Sequence, residues 1–242
     1  KPAESTPTSI LVLMELIADL VPDGVINIVN GFGAELGRGL VTNPKVSKAA
    51  FTGSTATGRL VMQYATENII PVTLELGGKS PNVFFPSVMD RDDEFLDKAI
   101  EGAVLFALNQ GEVCTCPSRI LVHESIADEF LKKVVERTNA IKMGNPLDTD
   151  VMMGAQASKI QKEKIASYLK LGKEEGAEVL AGGDIKNMDG ELSDGYYIQP
   201  TIFKGHNKMR IFQEEIFVPF VPVATSKNTE AAIQIARNTL FG

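Results

Sequence analysis

Apolar and polar positions along the chain change period several times, and each change predicts an element. Residues 92–107 carry apolar side chains at Phe95, Leu96, Ala99, Ile100, Ala103 and Val104. That three-to-four spacing predicts a helix with one buried face. Short apolar runs bounded by turn residues predict buried strands at 25–29, 48–51, 71–76, 81–85, 119–122, 178–181, 198–203 and 218–225. Helical patterns fall between them, at 55–66, 125–139, 157–175 and 229–238, and another runs from Gly31-Phe32-Gly33 to near Thr42. The most apolar run, 10–20, is broken by Glu15 and Asp19 and reads as a buried helix. Ser5 or Thr6 is its expected cap, with Pro7 in the first turn. The alternation of strand and helix predicts an α/β fold with parallel sheets.

That pattern also suggests where chemistry sits. Open α/β sheets bind ligands at the carboxyl ends of their strands. The strand at 71–76 delivers Glu75 to that edge, and Gly77-Gly78 is the expected junction between units 1–76 and 77–242.

Composition narrows the function classes. With 44% hydrophobic and 23% charged residues, the 242-residue chain has the balance of a globular protein. A net charge of -7 disfavours nucleic acid as a partner, and the basic pair Lys132-Lys133 reads as a solvated helix face. No apolar run has the length of a membrane span, and Lys1-Pro2-Ala3-Glu4 is not a secretory leader. The chain opens without Met, which suggests a piece of a longer protein. Two cysteines are too few for a disulfide framework, so the expected setting is reducing and cytoplasmic.

Two motifs carry candidate chemistry. Leu74-Glu75-Leu76-Gly77-Gly78-Lys79 presents a carboxylate, and Gly111-Glu112-Val113-Cys114 presents a thiol. A thiolate can attack a carbonyl carbon, and a carboxylate can then take a proton from water. Cys116 admits three roles: packing, a metal partner, or a redox guard of Cys114. A metal site is not expected, because His123 and His206 stand at no recognised ligand spacing.

Both motifs, with Phe51-Thr52-Gly53-Ser54-Thr55-Ala56-Thr57-Gly58 and Glu214-Glu215-Ile216-Phe217, resemble the NAD(P)-dependent aldehyde dehydrogenase superfamily. The resemblance covers residues 1–242. It implies that 1–76 is the later part of a Rossmann-like cofactor domain and 77–242 an incomplete catalytic domain. It also implies that the first cofactor-domain strands, an oxyanion Asn and an oligomerisation strand lie outside the segment. Cys114 is then the nucleophile and Glu75 the base, with NAD as cofactor. Ser54, Gly53 and Gly58 are expected at the pyrophosphate, Lys1 and Glu4 at the adenosine ribose, and Glu215 and Phe217 at the nicotinamide ribose and ring. Gly33, Gly37 and Leu76 are further expected cofactor contacts. The string Cys114-Thr115-Cys116-Pro117-Ser118-Arg119 resembles the branch acting on acetaldehyde and other short aldehydes. The resemblance also implies a homo-oligomer. Val218 departs from the pattern, which has Gly there and so puts the local backbone in question. Two other readings stay open: a noncatalytic ligand-binding relative, and a thiol esterase without cofactor.

Overall fold

The computed structural model describes residues 1–241. The chain divides into two units, Lys1–Gly77 and Gly78–Gly242.

In the first unit, helices α1 (Thr8–Leu16) and α2 (Gly33–Val41) precede strand β1 (Ala49–Thr52), helix α3 (Thr55–Ala65) and strand β2 (Val72–Glu75). The two strands pair in parallel, from Ala49 opposite Val72 to Thr52 opposite Glu75. Two expectations fail here. Residues 25–29 form no strand, and Val25, Ile26 and Val29 are exposed. A strand exists through its partner, and among the described residues none pairs with this run. The 10–20 run is helical as expected, α-helical to Leu16 and 3-10 helical at Ala18–Leu20, but it buries no residue. Its apolar side chains point all round, a pattern that signals burial without naming what covers it. Pro7 occupies the cap position, and neither Ser5 nor Thr6 caps the helix.

The second unit contains strand β3 (Pro81–Phe84), helix α4 (Glu94–Val104), strand β4 (Arg119–His123), and helices α5 (Ala127–Asn139) and α6 (Lys159–Glu174). Strands β5 (Glu178–Ala181) and β6 (Thr201–Lys204), helix α7 (Arg210–Gln213), strand β7 (Phe220–Ser226) and helix α8 (Thr229–Arg237) complete it. The sheet order is β3-β4-β7-β6-β5. Only the β5–β6 pair is antiparallel.

Both faces of this sheet are covered, as a parallel sheet requires. Ile120, Val122, Ile202 and Val223 pack with Ile100, Phe130 and Val134 from α4 and α5. Leu121, Phe203 and Ala224 face the opposite way, onto Ile165, Leu169 and Phe212 from α6 and α7. Phe95, expected on the buried face of α4, points to solvent instead. It is the second residue of a helix capped by Asp93, whose carboxylate accepts the Phe95 N–H at 2.9 Å. Strand β6 starts at Thr201 rather than 198, after Pro200, which has no N–H for the ladder.

Candidate active site

In the first unit, Glu75 ends β2 with an exposed side chain, and its carbonyl accepts the Gly53 N–H at 3.0 Å. The chain then turns into α3 through Ser54, which has extended backbone and accepts the Thr57 N–H on its hydroxyl at 3.2 Å. The opening amides of a helix have no carbonyl of their own, so this end of α3 suits an anion. Gly58 lets α3 lie close to the end of β2: a Cβ there would stand 2.5 Å from the Leu76 side chain. The free helix start and the close backbone fit a dinucleotide phosphate.

The same unit brings Lys1, Glu4 and Gly33 together. Glu4 accepts the Gly33 N–H at 2.5 Å and pairs with Lys1 at 3.3 Å. Its own amide, that of Gly33, and then Lys1 hold its carboxyl below the usual range. The Gly33 amide, expected to face a cofactor, is therefore engaged by Glu4. Gly37 lies within α2, and open space surrounds the position a Cβ would take.

In the second unit, the chain leaves α4 through Leu105–Gly111, where Asn109, Gln110 and Gly111 have φ of 48°, 59° and 73°. Such left-handed backbone is costly for Gln and cheap for Gly. Gly111 also faces a close backbone approach, since a Cβ there would sit 2.0 Å from the Val218 carbonyl carbon. This reversal places Val113, Cys114 and Cys116 on the wall of a small pocket of about 30 Å³. Gly78, Lys79, Glu215 and Phe217 line it too. The Cys114 thiol is free and exposed. Cys116 is half-buried and donates its thiol to the Leu105 carbonyl at 3.1 Å. Burial, with Cys114 adding to it, pushes the Cys116 thiol up from its ordinary pKa. Among the described residues, no three His, Cys, Asp or Glu side chains are grouped to hold a metal ion.

Glu215 accepts the Gly78 N–H at 3.3 Å. Phe217 has φ 66°, a strained value for an aromatic residue, and Gln161 donates its side-chain amide to the Phe217 carbonyl. Val218 takes no left-handed conformation, and its side chain joins the core with Leu121 and Phe220. The departure from Gly is thus absorbed by packing.

Two residues of this site went unread in the sequence. Lys79 is only 4% exposed, and its ammonium makes no hydrogen bond or ion pair among the described residues. Burial, and then the charge of Arg119, lower its pKa to about 7, while Glu215 and Glu214 pull the other way. Arg119 is fully buried and has no carboxylate partner. It donates to the carbonyls of Lys79 at 2.8 Å, Ile235 at 3.0 Å and Ala236 at 2.7 Å. For Arg119 the signal was its place at the head of the apolar run Ile120-Leu121-Val122; for Lys79 the sequence carried none.

A sequence profile described as "Aldehyde dehydrogenase family" matches residues 1–242. The chain belongs to the aldehyde dehydrogenase family. A long-chain-aldehyde dehydrogenase from an Acinetobacter species is 64% identical over all of this chain, which covers 48% of that protein. Acetaldehyde dehydrogenase 2 of Cupriavidus necator is 62% identical, with the same coverage of 100% and 48%. The crystal structure of betaine aldehyde dehydrogenase from Staphylococcus aureus in complex with NAD+ is 36% identical. It superposes with a TM-score of 0.92 over 100% of this chain and 47% of that one. The chain thus spans about half the length of the aldehyde dehydrogenases it matches. Among the described residues, no helix is long and apolar enough to cross a membrane.

Proposed function

We propose that the complete protein oxidises an aldehyde to a carboxylic acid with NAD, through Cys114 as nucleophile and Glu75 as base. The observation that carries this reading is the free, exposed Cys114 thiol on a pocket wall shared with Glu215 and Phe217. The Cys114 thiolate forms a bond to the carbonyl carbon as the π pair moves to oxygen, giving a thiohemiacetal. NAD, when bound, supplies the acceptor for the hydride that leaves this carbon, so a thioester remains on Cys114. Glu75 takes a proton from water, the water oxygen attacks the thioester, and the thiolate leaves.

Ser54, Gly53, Gly58 and the start of α3 hold the pyrophosphate in this reading. Lys1 and Glu4 hold the adenosine ribose, and Glu215 and Phe217 the nicotinamide ribose and ring. Gly33, Gly37 and Leu76 complete the cofactor contacts. Residues 1–76 act as part of the cofactor domain and 77–242 as part of the catalytic domain, in a cytoplasmic homo-oligomer. The Cys114-to-Arg119 string supports a short aliphatic substrate, as does the name of the Cupriavidus relative. The Acinetobacter relative's name argues for a long chain, so acetaldehyde and decanal should be compared by kcat/KM.

The mechanism has a direct test in the complete protein. Cys114→Ala abolishes aldehyde oxidation. Glu75→Gln still acylates and releases one burst of NADH, while steady turnover slows. Retained turnover in Cys114→Ala removes the thiol from its role, and a normal steady rate in Glu75→Gln removes the carboxylate.

A further inference from the structure

Enclosing an ammonium without a partner is unfavourable, because the charge loses its water and gains nothing in contact. Lys79 does this on the wall of the Cys114 pocket. A methionine would fill the same space without the penalty. The charges that act on Lys79 are those of Arg119, Glu215, Glu214 and Lys164. Two of these, Arg119 and Lys164, repel it. Glu214 is already engaged by Arg210 at 2.6 Å and by the Tyr168 hydroxyl. Glu215 is different: its only hydrogen bond among the described residues is the long one from Gly78, at 3.3 Å. A carboxylate can accept about four hydrogen bonds, so Glu215 keeps most of its capacity for a ligand.

We propose that Lys79 is a positioning residue that holds the Glu215 carboxylate at the pocket wall, presented to the ribose hydroxyls of the dinucleotide cofactor. This rests on the reading of Glu215 as a cofactor contact. Coulomb attraction falls only as the inverse of distance in a poorly screened interior, so it acts without direct contact. The backbone fixes the arrangement from both sides. Arg119 grips the Lys79 carbonyl at 2.8 Å, and the preceding residue, Gly78, donates to Glu215.

The arrangement has a pH signature. Lys79 titrates at about 7, so it is charged below that value and neutral above it. Its hold on Glu215 is present at pH 6 and lost by pH 8.5. Lys164 also faces Glu215, and burial lowers its pKa from the ordinary lysine value, so the contribution of Lys79 is read from the difference between wild type and Lys79→Met.

The test is NAD binding measured by calorimetry, without substrate, on the complete protein. Lys79→Met should weaken NAD binding by about tenfold at pH 6, and Lys79→Arg should restore most of the loss. Wild-type affinity should fall between pH 6 and 8.5, and the fall should be clearly smaller in Lys79→Met. Alkylation of Cys114 by iodoacetamide in the absence of NAD should match wild type in Lys79→Met. Wild-type NAD affinity in Lys79→Met overturns the proposal. So does slowed alkylation with unchanged affinity, which would assign the lysine to the thiol. Glu215→Gln separates the two levels. If it weakens NAD binding while Lys79→Met does not, only the role of Lys79 falls. If neither variant affects NAD, the reading of Glu215 falls with it.

Discussion

Lys79 also has a consequence for stability. Its pKa is 10.5 in a solvated chain and about 7 in the fold. Between those values the unfolded state keeps a proton that the folded state has released, so stability rises with pH. The cost of charging the buried amine is complete below about pH 7 and absent above about 10.5. The shift corresponds to a ceiling of roughly 5 kcal/mol. Lys79→Met should therefore stabilise the fold by about 1–4 kcal/mol at pH 6.5. The gain should shrink when urea midpoints are measured at pH 9. A stability difference that stays constant across this range would mean that Lys79 titrates as an ordinary surface lysine. The sequence exposed Cys114 and Glu75 because each sits in a motif whose residue types suit one chemistry. It hid Lys79 because the same motif reads equally well with a solvated lysine. Only the enclosure of the side chain separates the two.

Elements were legible where their own residues decide the outcome. Strand β4 is apolar at Ile120, Leu121 and Val122 because helices cover both faces of the sheet. Helix α3 could be placed from Ser54, whose hydroxyl accepts the amide of Thr57 three residues on. Residues 25–29 and α1 were misread because their apolar side chains say nothing about which partner covers them. Arg119 shows a dependence of the opposite kind, in which one residue of β4 completes another element. Ile235 and Ala236 lie in the last turn of α8, where carbonyls run short of helical donors and Ile235 has only the long one from Asn238. The guanidinium supplies two such donors and its positive charge complements the helix end. Arg119→Met removes the donor from the buried Lys79 carbonyl and from the partly buried Ala236 carbonyl, while Ile235 keeps the Asn238 N–H at 3.3 Å. At roughly 1–3 kcal/mol for each buried group left unsatisfied, the loss should be about 2–4 kcal/mol. Arg119→Lys should recover part of it, because an ammonium reaches fewer carbonyls than the planar fork. Urea unfolding of both variants measures this, and a loss under about 1 kcal/mol in Arg119→Met would show that water replaces the donors.

Burial is distributed unevenly over the whole molecule. In Lys1–Gly77, only Ala49, Gly58 and Ala65 are buried, and none carries a large side chain. Its sheet has two strands, whereas the sheet of Gly78–Gly242 has five, with Ile120, Leu121, Val122, Val221 and Val223 fully enclosed. A two-stranded sheet is marginal in water, and burying a large aliphatic side chain is worth about 1.5–3 kcal/mol. The two units must therefore differ in local stability. The first also exposes Leu16, Leu20, Phe32 and Ile69, each at 65% or more. Large exposed apolar side chains favour association. In the 242-residue chain, backbone amides of β1, β2 and α3 should exchange with solvent deuterium far ahead of those in β4 and β7. Protection in β4 and β7 should track global unfolding, and protection in β1 and β2 should report a smaller, local opening. Mass spectrometry of exchange over minutes to hours distinguishes these regimes. The comparison should be made at low protein concentration, so that association does not mask the first unit. Equal protection of the two sheets under those conditions would mean that the stability of β1 and β2 does not follow from their own burial.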